Sequence, residues 1–278
     1  MRYGISTHLY HAHALSRAHL EEIASFDFDA IEVFATRSHV DYHARDVVDA
    51  VAGWLRDLGL KLHGIHAPIT DAFRNGRWGR SLSIASADSA HRQEAVREAT
   101  LALELARRVP VDVLVVHLGI PRGQQATGPD NLADAARRSV DEIQKAAQPL
   151  GVRVAVEVIP NELSSPEALV RLLDEDLPGT GAGICLDFGH ALLLGDVVDA
   201  VECVGGHMIA THVHDNDGRA DSHLVPFEGQ IDWSTTLMAV QKIGYEGTLL
   251  FEVADTSTPR EVLEKTRRAR ARFEKLLI

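Results

Sequence analysis

Arg153-Val-Ala-Val-Glu-Val-Ile159, Gly183-Ile-Cys-Leu-Asp187 and Met208-Ile-Ala-Thr-His-Val-His214 are three short apolar runs rich in β-branched residues. Each carries an ionisable residue at or near its end. Runs of this kind separated by longer amphipathic stretches are the pattern of parallel strands joined by helical crossovers. The pattern repeats outward in both directions. Further strands are predicted over Arg2 to Thr7, Ala30 to Ala35, Lys61 to His66, Asp112 to His117 and Thr248 to Val253, which makes eight. Between them, Arg92 to Arg108, Leu132 to Gln148 and Pro259 to Leu277 set Ala, Leu, Val and Ile at helical spacing with charge opposite. Glycine stands where helices should end, in Leu58-Gly-Leu and Ile243-Gly-Tyr. A doubly wound open sheet alternates in the same way. Eight regular units without a Gly-x-Gly-x-x-Gly turn after the first favour closure into a single-domain (β/α)8 TIM barrel over residues 1–278.

Composition agrees with one large core: 278 residues, 45% of them hydrophobic. No segment approaches the roughly 20 apolar residues that span a bilayer. The two cysteines, Cys185 and Cys203, form no C-x-x-C pair and no disulfide framework, so a reducing cytoplasm is the expected location. A net charge of −12 argues against a non-specific polyanion binder, although carboxylates gathered around a cation inflate that count. The segment from Thr70 to Ala90, with Phe73, Trp78, Arg74, Arg77 and Arg80, reads equally as a mobile lid or as an ordinary solvated loop.

In a barrel the chemistry sits where strands run into the loops that follow them. The polar residues there are His66, His117, Glu157, Asp187, His190, His212, His214, Asp221, His223 and Glu252. A lone histidine after an apolar strand is more often a hydrogen-bonded core residue than a ligand. Glu157 and Glu252 are different, because each lies within an aliphatic run where an unpaired carboxylate would cost several kcal/mol. No Arg or Lys stands at these strand ends to neutralise them, so a metal ion is the economical counter-charge. Three carboxylates and a histidine, Glu157, Asp187, His214 and Glu252, make a hard, oxygen-rich site suited to Mn2+, Mg2+ or Co2+, with Zn2+ also accommodated. His212 and His214 face the same way and cannot both reach one position. His214, nearer the strand end, is the expected ligand, with His212 deeper in the barrel.

These residues resemble the xylose isomerase-like barrel superfamily, which joins sugar and sugar-phosphate isomerases and epimerases with endonuclease IV. The most specific part is His214-Asp-Asn-Asp-Gly-Arg-Ala-Asp-Ser-His223 followed by Gly229-Gln-Ile-Asp-Trp233, a stretch similar to sugar phosphate isomerase/epimerase proteins. Asp29-Ala-Ile-Glu-Val33 is a softer match to the family's second strand. The resemblance to ketose 3-epimerases implies one metal on Glu157, Asp187, His214 and Glu252, with the two glutamates exchanging a substrate proton. It also implies substrate contacts at His66 and His190. The epimerases carry an arginine six residues after the metal histidine; this chain has Ala220 there, with Arg219 adjacent as the substitute. The resemblance to endonuclease IV implies a different outcome. That enzyme holds three zinc ions, and His66, His117, His190, Asp221 and His223 occupy its additional ligand positions. The expected partner is a small carbohydrate rather than nucleic acid or a membrane, with homo-oligomers compatible. A keto-inositol-type dehydratase, an abasic-site phosphodiesterase and a non-catalytic carbohydrate-binding subunit are the alternatives.

Overall fold

The computed structural model describes residues 1–28, 30–122, 129–254 and 257–277; Asp29 of the second-strand match lies outside them. Eight parallel strands close into a barrel: β1 (Arg2–Ser6), β2 (Ala30–Phe34), β3 (Lys61–His66), β6 (Val113–Val116), β7 (Arg153–Glu157), β8 (Gly183–Asp187), β9 (Met208–Val213) and β10 (Thr248–Phe251). Strands β4 (Phe73–Arg74) and β5 (Arg77–Trp78) form a separate antiparallel hairpin. Helices α1 (Arg17–Ala24), α2 (Arg45–Leu58), α3 (Ser89–Ala102), α4 (Ala133–Ala147), α5 (Pro166–Arg171), α6 (Phe188–Leu194), α7 (Val197–Val204), α8 (Trp233–Lys242) and α9 (Pro259–Leu276) lie between and after the strands. The chain is therefore a (β/α)8 TIM barrel. Among the described residues no helix is long and apolar enough to cross a membrane.

Local chemistry sets the boundaries. Thr258 and Glu261 form a capping box at the start of α9 with Pro259 in its first turn, and Ser165 caps α5 ahead of Pro166. Gly59 ends α2 in the left-handed region at φ 66°, a conformation a side chain resists. Helix α3 stops at Ala102, earlier than the periodicity predicts. The next residues form tight turns, such as the Arg108 amide donating to the Leu105 carbonyl, that lead into Pro110.

The main core lies between barrel and helices. Phe273 of α9 packs on Trp233 of α8 and Phe251 of β10, at 5.0 and 5.7 Å between ring centroids. Inside the barrel a second cluster of small residues, Val113, Val115, Ala155, Cys185 and Ala210, fills the floor. Because strand side chains alternate, the residue two further along each strand also points inward. Those residues are His117, Glu157, Asp187 and His212, so the packed floor carries a ring of ionisable groups above it.

The Thr70 to Ala90 segment carries the short β4–β5 hairpin within otherwise irregular chain. Phe73 pairs with Trp78, the Phe73 amide donates to Ser38 Oγ at 2.8 Å, and Trp78 stacks on His11 with centroids 5.0 Å apart. Its aromatic side makes a wall at the barrel mouth, continued by Phe34, which is 6.0 Å from Trp78 and 5.1 Å from His66.

Candidate metal centre

Strand register decides which side chains meet. Glu157 of β7 lies level with Cys185 of β8, and beyond a register shift at Ile184/Cys185, Asp187 lies level with His212 of β9. His212 is in turn level with Leu250, so Glu252 two residues on faces the same space. Glu157, Asp187, His212 and Glu252 consequently bring one donor atom each within 4.8 Å of the others, and all four are buried. His212 Nδ1 is 3.1 Å from Glu157 Oε1, 3.3 Å from Glu252 Oε2 and 3.9 Å from Asp187 Oδ2.

The structure gathers Glu157, Asp187 and Glu252 with His212 among them, while His214, the expected ligand, meets the same Asp187. His214 stands one step higher. Its Nε2 is 3.0 Å from Asp187, its ring stacks on His223 at 3.9 Å, and it belongs to a second group with His190, Asp221 and His223. Asp187 lies between the two groups. Gly189 makes this possible, because a Cβ there would collide with the His214 ring. His66 and His117 approach the first group from β3 and β6, with Nε2 atoms 3.2 and 3.0 Å from Glu157 Oε2. Arg219 lies on an exposed turn, its amide held by Asp217 Oδ1 at 3.0 Å.

A test of whether a cation fits comes from histidine tautomers. A carbonyl oxygen only accepts, so a ring nitrogen bonded to one must carry hydrogen. His66 Nδ1 donates to the Ala67 carbonyl at 2.8 Å, His190 Nδ1 to Val158 at 3.0 Å, and His223 Nδ1 to Glu252 at 2.8 Å. In a neutral ring each Nε2 is then a lone pair, and each faces a carboxylate. The pairs are His66 with Glu157 Oε2, and His190 and His223 with Asp221 Oδ2 at 3.1 and 3.3 Å. Lone pair against lone pair requires a proton or a metal ion between them. Glu157 Oε2 is moreover buried without a hydrogen-bond partner despite two imidazoles within reach. The donor set of carboxylates and imidazoles fits divalent cations at both groups.

Without an ion the imidazoles take up protons. Burial alone would lower their pKa values, but His66 is pushed up to about 9 by its Glu157, Glu252 and Glu32 neighbours, and His223 to about 9 by Asp221 first. His190 is raised well above its ordinary value against the same burial, Asp187 and Asp221 being the main causes. For Glu157, burial is outweighed by His117 and His212, which hold the carboxyl well below the usual range.

Much of the loop motif after β9 builds the site without facing it. Asp215, fully buried, accepts from the amides of Asn216, Phe227 and Ile231 at 3.0, 3.0 and 3.1 Å and from Trp233 Nε1 at 2.9 Å. Gly229 leaves room for that carboxylate, which a Cβ would strike. Two residues near the site escape the sequence reading. Glu32 of β2 is buried against His212, and its signal is a carboxylate inside the apolar run Ala30–Phe34. His8, just past β1, places its ring 5.1 Å from His223 with a buried Nδ1 lacking a hydrogen-bond partner; nothing in its flanking sequence marks it.

Residues 20–275 match the family model described as xylose isomerase-like TIM barrel. The chain is 27% identical over 275 residues to the uncharacterized protein MJ1311 of Methanocaldococcus jannaschii, an alignment covering 95% of this chain and 89% of that protein. Among solved structures, a D-tagatose 3-epimerase-like protein superposes with a TM-score of 0.79 at 24% identity, covering 100% of this chain and 98% of the other. The IolI protein with a bound zinc atom gives 0.78 at 17% identity, covering 100% and 99%. At such identities the superpositions show the fold. The match of the family model across nearly the whole length shows more: the chain belongs to the xylose isomerase-like TIM barrel family.

Proposed function

We propose that this chain is a divalent-metal-dependent isomerase or epimerase acting on a ketose, keto-polyol or sugar phosphate, with residues 1–278 working as one domain. The observation that carries the reading is the buried meeting of Glu157, Asp187, His212 and Glu252 at the C-terminal mouth of the barrel. Glu157, Asp187 and Glu252 would hold the ion together with the expected His214, 3.0 Å from Asp187, or with His212 of the same group. A bound divalent ion supplies Lewis acidity at a substrate oxygen and so acidifies the neighbouring carbon. Glu157 and Glu252 lie 3.1 and 3.3 Å from His212 Nδ1, and these two carboxylates would remove and return a carbon-bound proton. His66, His190 and the aromatic wall from Phe34 to Trp78 would position the substrate, and Arg219 would reach it from the loop. The D-tagatose 3-epimerase-like protein of the same fold supports this reaction class.

The test is solvent deuterium incorporation at carbon over a panel of ketoses and aldoses with the Mn2+- or Co2+-loaded protein. Exchange on at least one substrate, lost in both Glu157→Gln and Glu252→Gln, is expected; no exchange anywhere on the panel would sink the reading.

A second reading has its own observation. His190, His214, Asp221 and His223 form another group of potential ligands that a one-metal isomerase does not require. It favours a two- or three-metal phosphoesterase holding zinc. Close to three zinc ions per chain, with cleavage of an abasic-site duplex that His223→Ala abolishes, would replace the first reading with this one.

A further inference from the structure

Four imidazoles around the barrel mouth are tied down through the same nitrogen. His66, His190 and His223 donate from Nδ1 to backbone carbonyls, and so does His11, to the His8 carbonyl at 2.8 Å. In the neutral ring their Nε2 atoms carry no hydrogen and can only accept or bind an ion. His8 departs from this pattern. Its Nδ1 is buried with no hydrogen-bond partner, while the residue as a whole stays partly exposed, which leaves Nε2 as the accessible nitrogen. Orphaned buried donors are rarer than under-satisfied acceptors, which favours hydrogen on Nε2.

The His8 ring is held by backbone and by packing. The His8 amide donates to Ser6 Oγ at 3.2 Å, and the neighbouring Thr7 Oγ1 accepts from the Phe34 amide at 2.9 Å, so the turn after β1 is pinned to the end of β2. The imidazole stacks on His11 at 4.8 Å, meets Phe34 edge-on at 4.8 Å and lies 5.1 Å from the His223 ring. It thus stands between the aromatic wall and the group formed by His190, His214, Asp221 and His223. The carboxylates and bare imidazole nitrogens of the ligand groups present acceptors to a sugar. An oxygen lone pair of that sugar needs a donor, and His8 supplies one from the side of the wall.

Resting on the isomerase or epimerase reading above, we propose that His8 is a substrate-binding residue whose Nε2–H holds a hydroxyl or carbonyl oxygen of the sugar away from the ion. A site built to hydrogen-bond a substrate oxygen rejects the analogue that lacks it, because the protein group is then left unpaired. His8 would accordingly select for the oxygen at one position of the substrate.

The test pairs a protein change with a substrate change. His8→Phe keeps a ring against His11 and Phe34 and removes the N–H. On the sugar that shows deuterium exchange, KM should rise about threefold to tenfold, the scale of one neutral hydrogen bond, with kcat within about twofold and bound metal equal to wild type. Among monodeoxy analogues of that sugar, one should cost wild type a similar factor in kcat/KM and cost His8→Phe nothing further. If wild type exchanges no sugar, the isomerase reading fails and takes this role with it. If wild type is active but His8→Phe keeps its KM, retains every deoxy penalty or loses the metal, His8 is no substrate donor and the proposal is overturned. Should His8→Phe not fold, NMR of isotope-labelled histidine rings in the Zn2+-loaded wild type decides. A His8 Nε2–H resonance that moves on addition of the sugar supports the role; hydrogen on Nδ1, or a signal indifferent to saturating sugar, overturns it.

Discussion

His66 and Glu157 face each other across the barrel mouth with Nε2 3.2 Å from Oε2, although the other nitrogen of the ring already donates to the Ala67 carbonyl. The contact is attractive only with a proton or a metal ion in it, and the two compete. At pH 7 the ion-free protein should hold the proton, since His66 and His223 are each raised to about 9. Metal uptake should therefore release protons, and affinity should climb from pH 7 to about 9 and then level. Titration calorimetry in buffers of different ionisation enthalpy measures the release; none at pH 7 would refute the tautomer assignment. Stability follows with opposite sign in the two forms. A raised folded-state pKa stabilises the ion-free protein below about 6.5, and that increment is lost as pH rises through about 9. Over the same window stabilisation by a bound ion grows.

His212 and His214, two residues apart, should behave differently when removed. His212→Ala strips a donor from the group containing Glu157, Asp187 and Glu252, and its loss of affinity should exceed the roughly 100-fold that losing an outer partner can reach. His214→Ala leaves that group complete and should diminish only an ion held with His190, Asp221 and His223. Elemental analysis after gel filtration separates them. Retention in His212→Ala together with loss in His214→Ala would restore the assignment expected from sequence.

The two histidines show how far the sequence is readable. Eight apolar runs with amphipathic spacers make the barrel legible, and the strands end within about two residues of expectation because burial on both faces of a parallel strand leaves a continuous apolar signature. Glu157, Asp187 and Glu252 are legible by the same contrast, as carboxylates standing in or closing aliphatic runs. The choice between His212 and His214 depends on strand register. The shift at Ile184/Cys185, which no residue type announces, sets Asp187 level with His212. Glu32 obeys the rule that marks Glu157, yet its partner lies 180 residues away in sequence, so only the closed barrel shows the pair. In the loop motif from 214 to 233, the sequence signals function while part of the motif is architecture.

Asp215 is that architecture. Asp215→Ala would leave three amides and the Trp233 indole N–H with no acceptor in a buried place, a cost of at least about 3 kcal/mol when one such group costs about 1–3. A fall in Tm of at least about 6 °C is expected, since about 2–4 °C accompanies each kcal/mol in a domain approaching this size. The loop from 215 to 233 carries Asp221 and His223, so any ion held there should be lost while the ion on Glu157, Asp187, His212 and Glu252 is kept. Melting curves and metal stoichiometry of the same sample test both parts. An unchanged Tm would mean that water replaces the carboxylate.

Trp78 tests the hairpin. Its side chain is 41% exposed, yet its ring lies against His11 and Phe73 at 5.0 and 4.7 Å, so it forms the outer edge of the wall that Phe34 carries inward to His66. It touches none of the groups proposed to hold the ion or move the proton. A residue that contacts the substrate equally before and during reaction changes binding without changing the chemical step. Trp78→Ala should accordingly raise KM by roughly threefold to tenfold, the scale of an aromatic contact worth about 0.5–1.5 kcal/mol, with kcat within about twofold and Tm little altered. Steady-state kinetics on whichever sugar shows deuterium exchange supplies the measurement. A fall in kcat at unchanged KM would show that the hairpin acts on the chemistry, through the Phe34–His66 contact behind it, rather than as a wall for the substrate.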